Sequence, residues 1–126
     1  MRKISIMLVL LFASFTFSSC SLKNGSYTSI SADDAKEIMD KENNYIILDV
    51  RTLEEYNSGH IPNAILIPNE EIKQKASSIL KDKNQLILVY CRSGRRSKQA
   101  ASTLATLGYK NIKEFGGIID WPYAIE

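Results

Sequence analysis

The chemistry of this chain centres on the stretch Val-Tyr-Cys-Arg-Ser-Gly-Arg-Arg-Ser, residues 89–97. An apolar run from Leu86 to Tyr90 ends at Cys91, and a segment with helical apolar spacing follows. A thiolate in such a strand-to-helix turn faces the helix N-terminus, where unpaired N–H groups and the dipole favour negative charge. Arg92, Arg95 and Arg96 add fixed positive charge, and Gly94 permits a tight turn whose amides converge on an anion. Each feature lowers the pKa of a cysteine, and thiolate is the nucleophilic form. The loop therefore predicts an anionic sulfur held beside an anionic substrate, with Ser93 and Ser97 as its polar supports. The bland alternative is a small buried hydrophobe. It calls for apolar neighbours, which residues 92–98 do not supply.

Other residues invite chemistry less strongly. Asp49 and Arg51 lie at the end of a second apolar run and read as a structural pair near the loop. His60 is the one histidine, in the turn Gly59-His60-Ile61-Pro62-Asn63. A hydrogen bond that stabilises the turn suits it better than general base catalysis, because a pre-ionised thiol needs no base. One histidine and one free cysteine give no metal cluster. Trp121 reads as core packing, and Lys73, Lys75, Lys81 and Lys83 as a solvated face. A formal charge of +2 is too small to suggest a nucleic-acid partner.

The elements that must hold the loop follow from periodicity. The chain has 126 residues, enough for one domain, with 44% hydrophobic and 24% charged residues. Tyr27–Ile30 suggests a short edge strand, and Ser31 caps a helix over Ala32–Lys41 with Ala35, Ile38 and Met39 inward. Tyr45–Val50, Ala64–Ile67, Leu86–Tyr90 and Asn111–Phe115 are short apolar runs, the signature of strands buried on both faces. Between them lie a short helix capped by Thr52 with Glu55, a helix capped by Asn69 carrying Ile72, Ala76, Ile79 and Leu80, and a helix from Arg95 to Leu107 closed by Gly108. Alternating strands and helices predict an α/β fold: an open, mostly parallel sheet of about five strands with helices on both faces. In such a sheet functional groups gather at the carboxyl ends of the strands, where Cys91 falls.

The N-terminus has a separate logic. Arg2 and Lys3 precede an apolar stretch from Ile4 to Phe17, then Ser18-Ser19-Cys20, the layout of a secretory signal. Phe17-Ser18-Ser19-Cys20 resembles the bacterial lipobox. That resemblance implies a signal over residues 1–19, acylation of Cys20, a tether over 20–26 and a membrane-anchored, extracytoplasmic domain over 27–126. The alternative is a plain secretory signal. Loss of Arg2 and Lys3 leaves 14 basic against 14 acidic residues, so any positive cluster is local. A lipid on Cys20 leaves Cys91 without an intramolecular partner, which suggests a reactive thiol.

Cys91-Arg92-Ser93-Gly94-Arg95-Arg96-Ser97 resembles the active-site loop of rhodanese-like sulfurtransferases, usually C-R-S-G-x-R-S. Asp49-Val50-Arg51, Glu54-Glu55-Tyr56, Gly59-His60-Ile61-Pro62-Asn63-Ala64 and Gly116-Gly117 with Trp121 match further landmarks in order, with Asn63 where glycine is usual. The resemblance implies a single rhodanese domain. In it Cys91 attacks the outer sulfur of a donor such as thiosulfate, holds it as a persulfide and passes it to cyanide or a thiol. The amides from Arg92 to Arg96 would stabilise the developing charge, and Arg92 and Arg95 would face the substrate. Arg96 would brace the loop, toward Asp49, and Ser97 would help cap the helix. No cofactor or metal is implied. Cysteine phosphatases need an arginine six places after the cysteine, and that place is Ser97. Two other readings stand beside the enzyme. One is a non-turnover module that binds a protein partner or carries persulfide, and an intact cysteine in a full loop disfavours the inactive kind. The other is a thiol redox protein, which the lack of a resolving cysteine weakens.

Overall fold

The structure is a computed structural model, and it describes residues 26–126. The expected signal over 1–19, the expected acylation site Cys20 and the expected tether as far as residue 25 lie outside the described residues. Five strands form one sheet in the order β1-β5-β4-β2-β3, every neighbouring pair parallel. The strands are β1 (Thr28–Ser29), β2 (Tyr45–Asp49), β3 (Ile65–Leu66), β4 (Leu86–Cys91) and β5 (Ile112–Gly117). The helices are α1 (Ala32–Lys41), α2 (Leu53–Ser58), α3 (Ile72–Ile79) and α4 (Arg95–Thr106). The parallel α/β architecture expected from the apolar runs is the one observed.

The pleat divides each central strand between two cores. Ile87, Val89 and Cys91 of β4 face α3 and α4, joined by Leu48, Val50, Ala100, Ala101 and Leu104. Leu88 and Tyr90 face the other way and pack with Ile47, Phe115, Trp121 and Ala35 of α1. This is why β4 reads as an unbroken apolar run: both of its faces are covered. Trp121 is core, as its type suggested.

Two local expectations need correction. Asn69 does not cap α3. It opens a 3₁₀ turn over Asn69–Glu71, and its Nδ2 donates to Gln99 Oε1 at 2.9 Å. Pro68 takes the cap position of this turn, its carbonyl accepting the Glu71 N–H at 2.8 Å, and α3 then begins at Ile72 without a side-chain cap. Ile79 is 45% exposed, whereas Ile72, Ala76 and Leu80, four residues apart, form the buried stripe. The Thr52 cap holds as expected. Its Oγ1 accepts the Glu55 N–H, and the Glu55 carboxylate accepts the Thr52 N–H at 3.2 Å, a complete capping box.

β5 runs two residues past its expected end, to Gly117, and Cys91 pairs with Gly117 after an irregularity between Val89 and Cys91. A Cβ on Gly117 would lie 1.8 Å from the Arg92 carbonyl oxygen, so only glycine lets β5 approach the loop this closely. Gly94 has φ of 108° and stands immediately before α4, turning the chain from strand into helix.

Candidate active site

Cys91 is the last residue of β4, and its side chain lies on the α4 face at 1% exposure. The sulfur accepts the Gly94 N–H at 3.0 Å. Ser97, on the first turn of α4, places its Oγ 3.4 Å from the same sulfur. At that separation a thiol donates to Oγ and a thiolate accepts from it. Burial pushes the Cys91 thiol up, but hydrogen bonds from the Ser97 hydroxyl and from the Ser97, Gly94 and Ser93 amides outweigh it, and the pKa lies below its ordinary value. The direction is the one the loop's residue types predicted. Its main cause is the ring of donors, because the arginines are committed elsewhere or point to solvent.

Arg96 does not reach Asp49. It forms a two-pronged pair with Glu55, Nη1 to Oε1 at 2.6 Å and Nη2 to Oε2 at 2.8 Å, tying α4 to α2. The Arg96 guanidinium pulls the Glu55 carboxyl down to about 2. Asp49 is already taken. Arg51 Nη2 donates to Asp49 Oδ2 at 2.7 Å and Tyr90 Oη donates to the same oxygen at 2.6 Å. The expected Asp49–Arg51 pair therefore exists, and it lies on the opposite face of the sheet from the sulfur. It holds the loop through Tyr90, the residue before Cys91. Arg51 also donates to the Gly59 carbonyl at 2.7 Å, which fixes the turn that carries His60. His60 stacks on Tyr56 at 3.9 Å between centroids, and its Nδ1 lies 3.0 Å from the Tyr56 carbonyl, the structural role expected of it.

Ser97 does not cap α4 either. Its hydroxyl lies 2.9 Å from the Gly94 carbonyl and 2.7 Å from Glu114 Oε1. Glu114, on β5, is 2% exposed and escaped the sequence reading. A signal for it was present: Ile112 and Glu114 are two apart in a strand, so an acidic residue shares the inward face of an isoleucine. Arg92 and Arg95 are exposed and form no ion pair among the described residues. A cleft of about 410 Å³ lies beside Arg92, lined also by Arg51, Glu54, Glu55, Ser58 and Ile118. Among the described residues no group of histidine, cysteine or acidic side chains is arranged to hold a metal.

A buried sulfur in a cradle of amides, at the carboxyl edge of a parallel sheet, defines a class, and comparison with known proteins gives the same one. Residues 31–122 match the rhodanese-like domain family. The chain belongs to that family. It is 40% identical over 73 residues to thiosulfate sulfurtransferase PspE of Escherichia coli, a match covering 58% of this chain and 70% of that protein. It is 38% identical over 97 residues to putative sulfur carrier protein YrkF of Bacillus subtilis, covering 76% of this chain and about half, 51%, of the relative. The crystal structure of the Alr3790 protein from Anabaena superposes with a TM-score of 0.71 at 32% identity, over 77% of this chain and 90% of that one.

Proposed function

We propose that this protein is a rhodanese-type sulfurtransferase that moves a sulfane sulfur through a persulfide on Cys91. The observation that carries the reading is the sulfur itself, buried at the strand end with the Gly94 amide at 3.0 Å and its ionisation favoured. The Cys91 thiolate attacks the outer sulfur of a donor such as thiosulfate. A new S–S bond forms, the donor's S–S bond breaks, and its electron pair leaves with sulfite. A thiophilic acceptor, cyanide or a thiolate, then attacks the outer sulfur of the persulfide and returns Cys91 to thiolate. The amides that hold the thiolate also suit the charge that develops on the persulfide. Arg92 and Arg95, exposed and without an ion pair among the described residues, are the cations expected to meet the anionic donor. Splitting the transfer into two steps predicts ping-pong kinetics. Incubation with thiosulfate should add one sulfur to Cys91 by intact mass, and cyanide should then release thiocyanate. The Cys91→Ser protein should do neither. A wild-type protein that gains no sulfur would end this reading.

A second reading, delivery of the persulfide to a protein acceptor, has its own support. Ile119 is 61% exposed, and its N–H donates to the Arg92 carbonyl at 3.3 Å, which sets an apolar side chain at the lip of the loop. The likeness to a putative sulfur carrier protein fits the same idea.

The Arg2-Lys3 head, the apolar stretch and Ser18-Ser19-Cys20 support an exported protein anchored by lipid on Cys20 and facing the periplasm or the exterior. Metabolic labelling with a radioactive fatty acid should mark the wild type and leave Cys20→Ser unmarked.

A further inference from the structure

Four charged side chains line the cleft of about 410 Å³ beside the loop: Arg51, Glu54, Glu55 and Arg92. Two of them are committed. Arg51 Nη2 donates to Asp49 Oδ2 at 2.7 Å, and Glu55 holds Arg96 at 2.6 and 2.8 Å. Glu54 and Arg92 are exposed and form no ion pair among the described residues. The cleft adjoins the sulfur from two directions. Arg92 directly follows Cys91 in the chain, and Arg96, bonded to the Glu55 of the cleft wall, feels the sulfur's charge. Ile118 gives the cleft an apolar side, and the Ser58 hydroxyl donates to the Glu54 carbonyl at 3.0 Å.

Once Cys91 carries a persulfide, the charges at this mouth do not cancel. Arg51 balances Asp49, Arg96 balances Glu55 and Arg92 offsets Glu54, which leaves the outer sulfur's negative charge over. Arg95 is exposed on α4 and does not line the cleft. An acceptor that attacks as a thiolate brings a second negative charge, and a carboxylate on the same molecule would bring a third. An ammonium group instead makes the attacking form a net-neutral zwitterion, and it lowers the acceptor thiol's own pKa.

We propose that Glu54 is a specificity-determining residue for the second half of the transfer, receiving the ammonium group of a small amino thiol that the cleft admits ahead of neutral and acidic thiols. The inference rests on the persulfide reading of Cys91 and deepens it by naming the class of acceptor. With the ammonium group beside Glu54, the acceptor's thiolate attacks the outer sulfur of the persulfide. A bond forms between those two sulfurs, the bond from the outer sulfur to Cys91 Sγ breaks, and its electron pair stays on Cys91 as thiolate. The product is the anion of a small hydropersulfide. Arg92 is left to meet a carboxylate on the same molecule, so an amino-acid thiol fills the cleft with both of its charges answered. A dianionic donor gains nothing from Glu54, so donor and acceptor use the mouth differently.

The test loads the protein with sulfur, removes the excess donor and follows loss of the Cys91 persulfide by intact mass against cysteamine, mercaptoethanol and mercaptopropionate. Each rate is compared between wild type and Glu54→Gln, so the acceptor's intrinsic reactivity cancels. The expected result is a rate to cysteamine that falls about threefold in Glu54→Gln, the size of an exposed ion pair. The rate to mercaptoethanol should stay level, and that to mercaptopropionate should stay level or rise. Glu54→Lys should widen the cysteamine loss to about tenfold by adding repulsion, and high salt should shrink the discrimination. Equal effects on all three acceptors, or none on cysteamine, overturn the proposal. Loading with inorganic polysulfide in place of thiosulfate makes the test independent of the donor. A protein that takes sulfur from neither ends the persulfide reading and this inference with it. A loaded protein that discharges without regard to Glu54 ends this inference alone.

Discussion

At the residue scale, Gly117 is the position where a single methyl group does most harm. Its missing side chain admits the Arg92 carbonyl, and a Cβ would sit 1.8 Å from that oxygen and 2.5 Å from the Ser93 nitrogen, both rigid backbone. Gly117→Ala must therefore push β5 away from the loop and open the cradle. We expect a loss of roughly 1–3 kcal/mol in urea unfolding, the usual size of core overpacking, together with slower alkylation of Cys91 at neutral pH. Gly94→Ala is a different experiment. The space is open to ordinary contact distance, and the strain comes from a φ of 108°. Cys91 was legible in the sequence because one thiol among arginines and serines is chemically conspicuous. The source of its activation was not. Arginine charges are visible as letters, whereas converging amides are a property of backbone geometry, and Glu55 and Glu114 declare their partners only when three elements meet.

At the scale of elements, the Arg96–Glu55 pair joins two helices that the chain separates by 41 residues. Both side chains are less than a third exposed, at 22% and 27%. Folding lowers the Glu55 pKa from its ordinary 4.5 to about 2. A depressed folded-state pKa stabilises above the unfolded value and loses that contribution as pH falls through the folded one. The window here therefore runs from about 4.5 down to about 2. At about 1.4 kcal/mol per unit the drop from 4.5 to about 2 corresponds to at most about 3.5 kcal/mol, which solvent screening of this partly exposed pair reduces. Arg96→Met should flatten the stability profile across that window and leave the wild-type profile above it parallel, read by urea midpoints at successive pH values. Helix spans were legible to within a residue or two wherever a cap or an apolar stripe marked them. Ser31 and Thr52 announced their helices, and the periodicity of Ala100, Ala101 and Leu104 announced α4. Asn69 misled because its preference for caps does not say that a 3₁₀ turn capped by Pro68 comes first.

At the scale of the whole molecule, stability sits in the two cores that the sheet separates. Leu104 is fully buried on the α4 side, against Val89 and Ile112 of the same cluster. Leu104→Ala should cost about 2–5 kcal/mol, the range for truncating a buried leucine, while Ile79→Ala, half in solvent, should cost much less. Denaturant unfolding of the two variants checks the contrast. The α/β class and strand number were readable because apolar runs covered on both faces carry no alternation, and that pattern belongs to parallel sheets. The order β1-β5-β4-β2-β3 was not readable, since it depends on which helix crosses which face.

All five strands point the same way, and the chain enters the sheet at β1 from the edge opposite the sulfur. Ser29 is level with Val89 through their common partner Glu114, so Tyr27 stands four residues of β4 short of Cys91, about 13 Å along the strand. A leash pulling on residue 26 therefore draws on the back of the domain and turns the reactive mouth outward. Fixed to any surface by that end, the protein would still present its sulfur to whatever diffuses past.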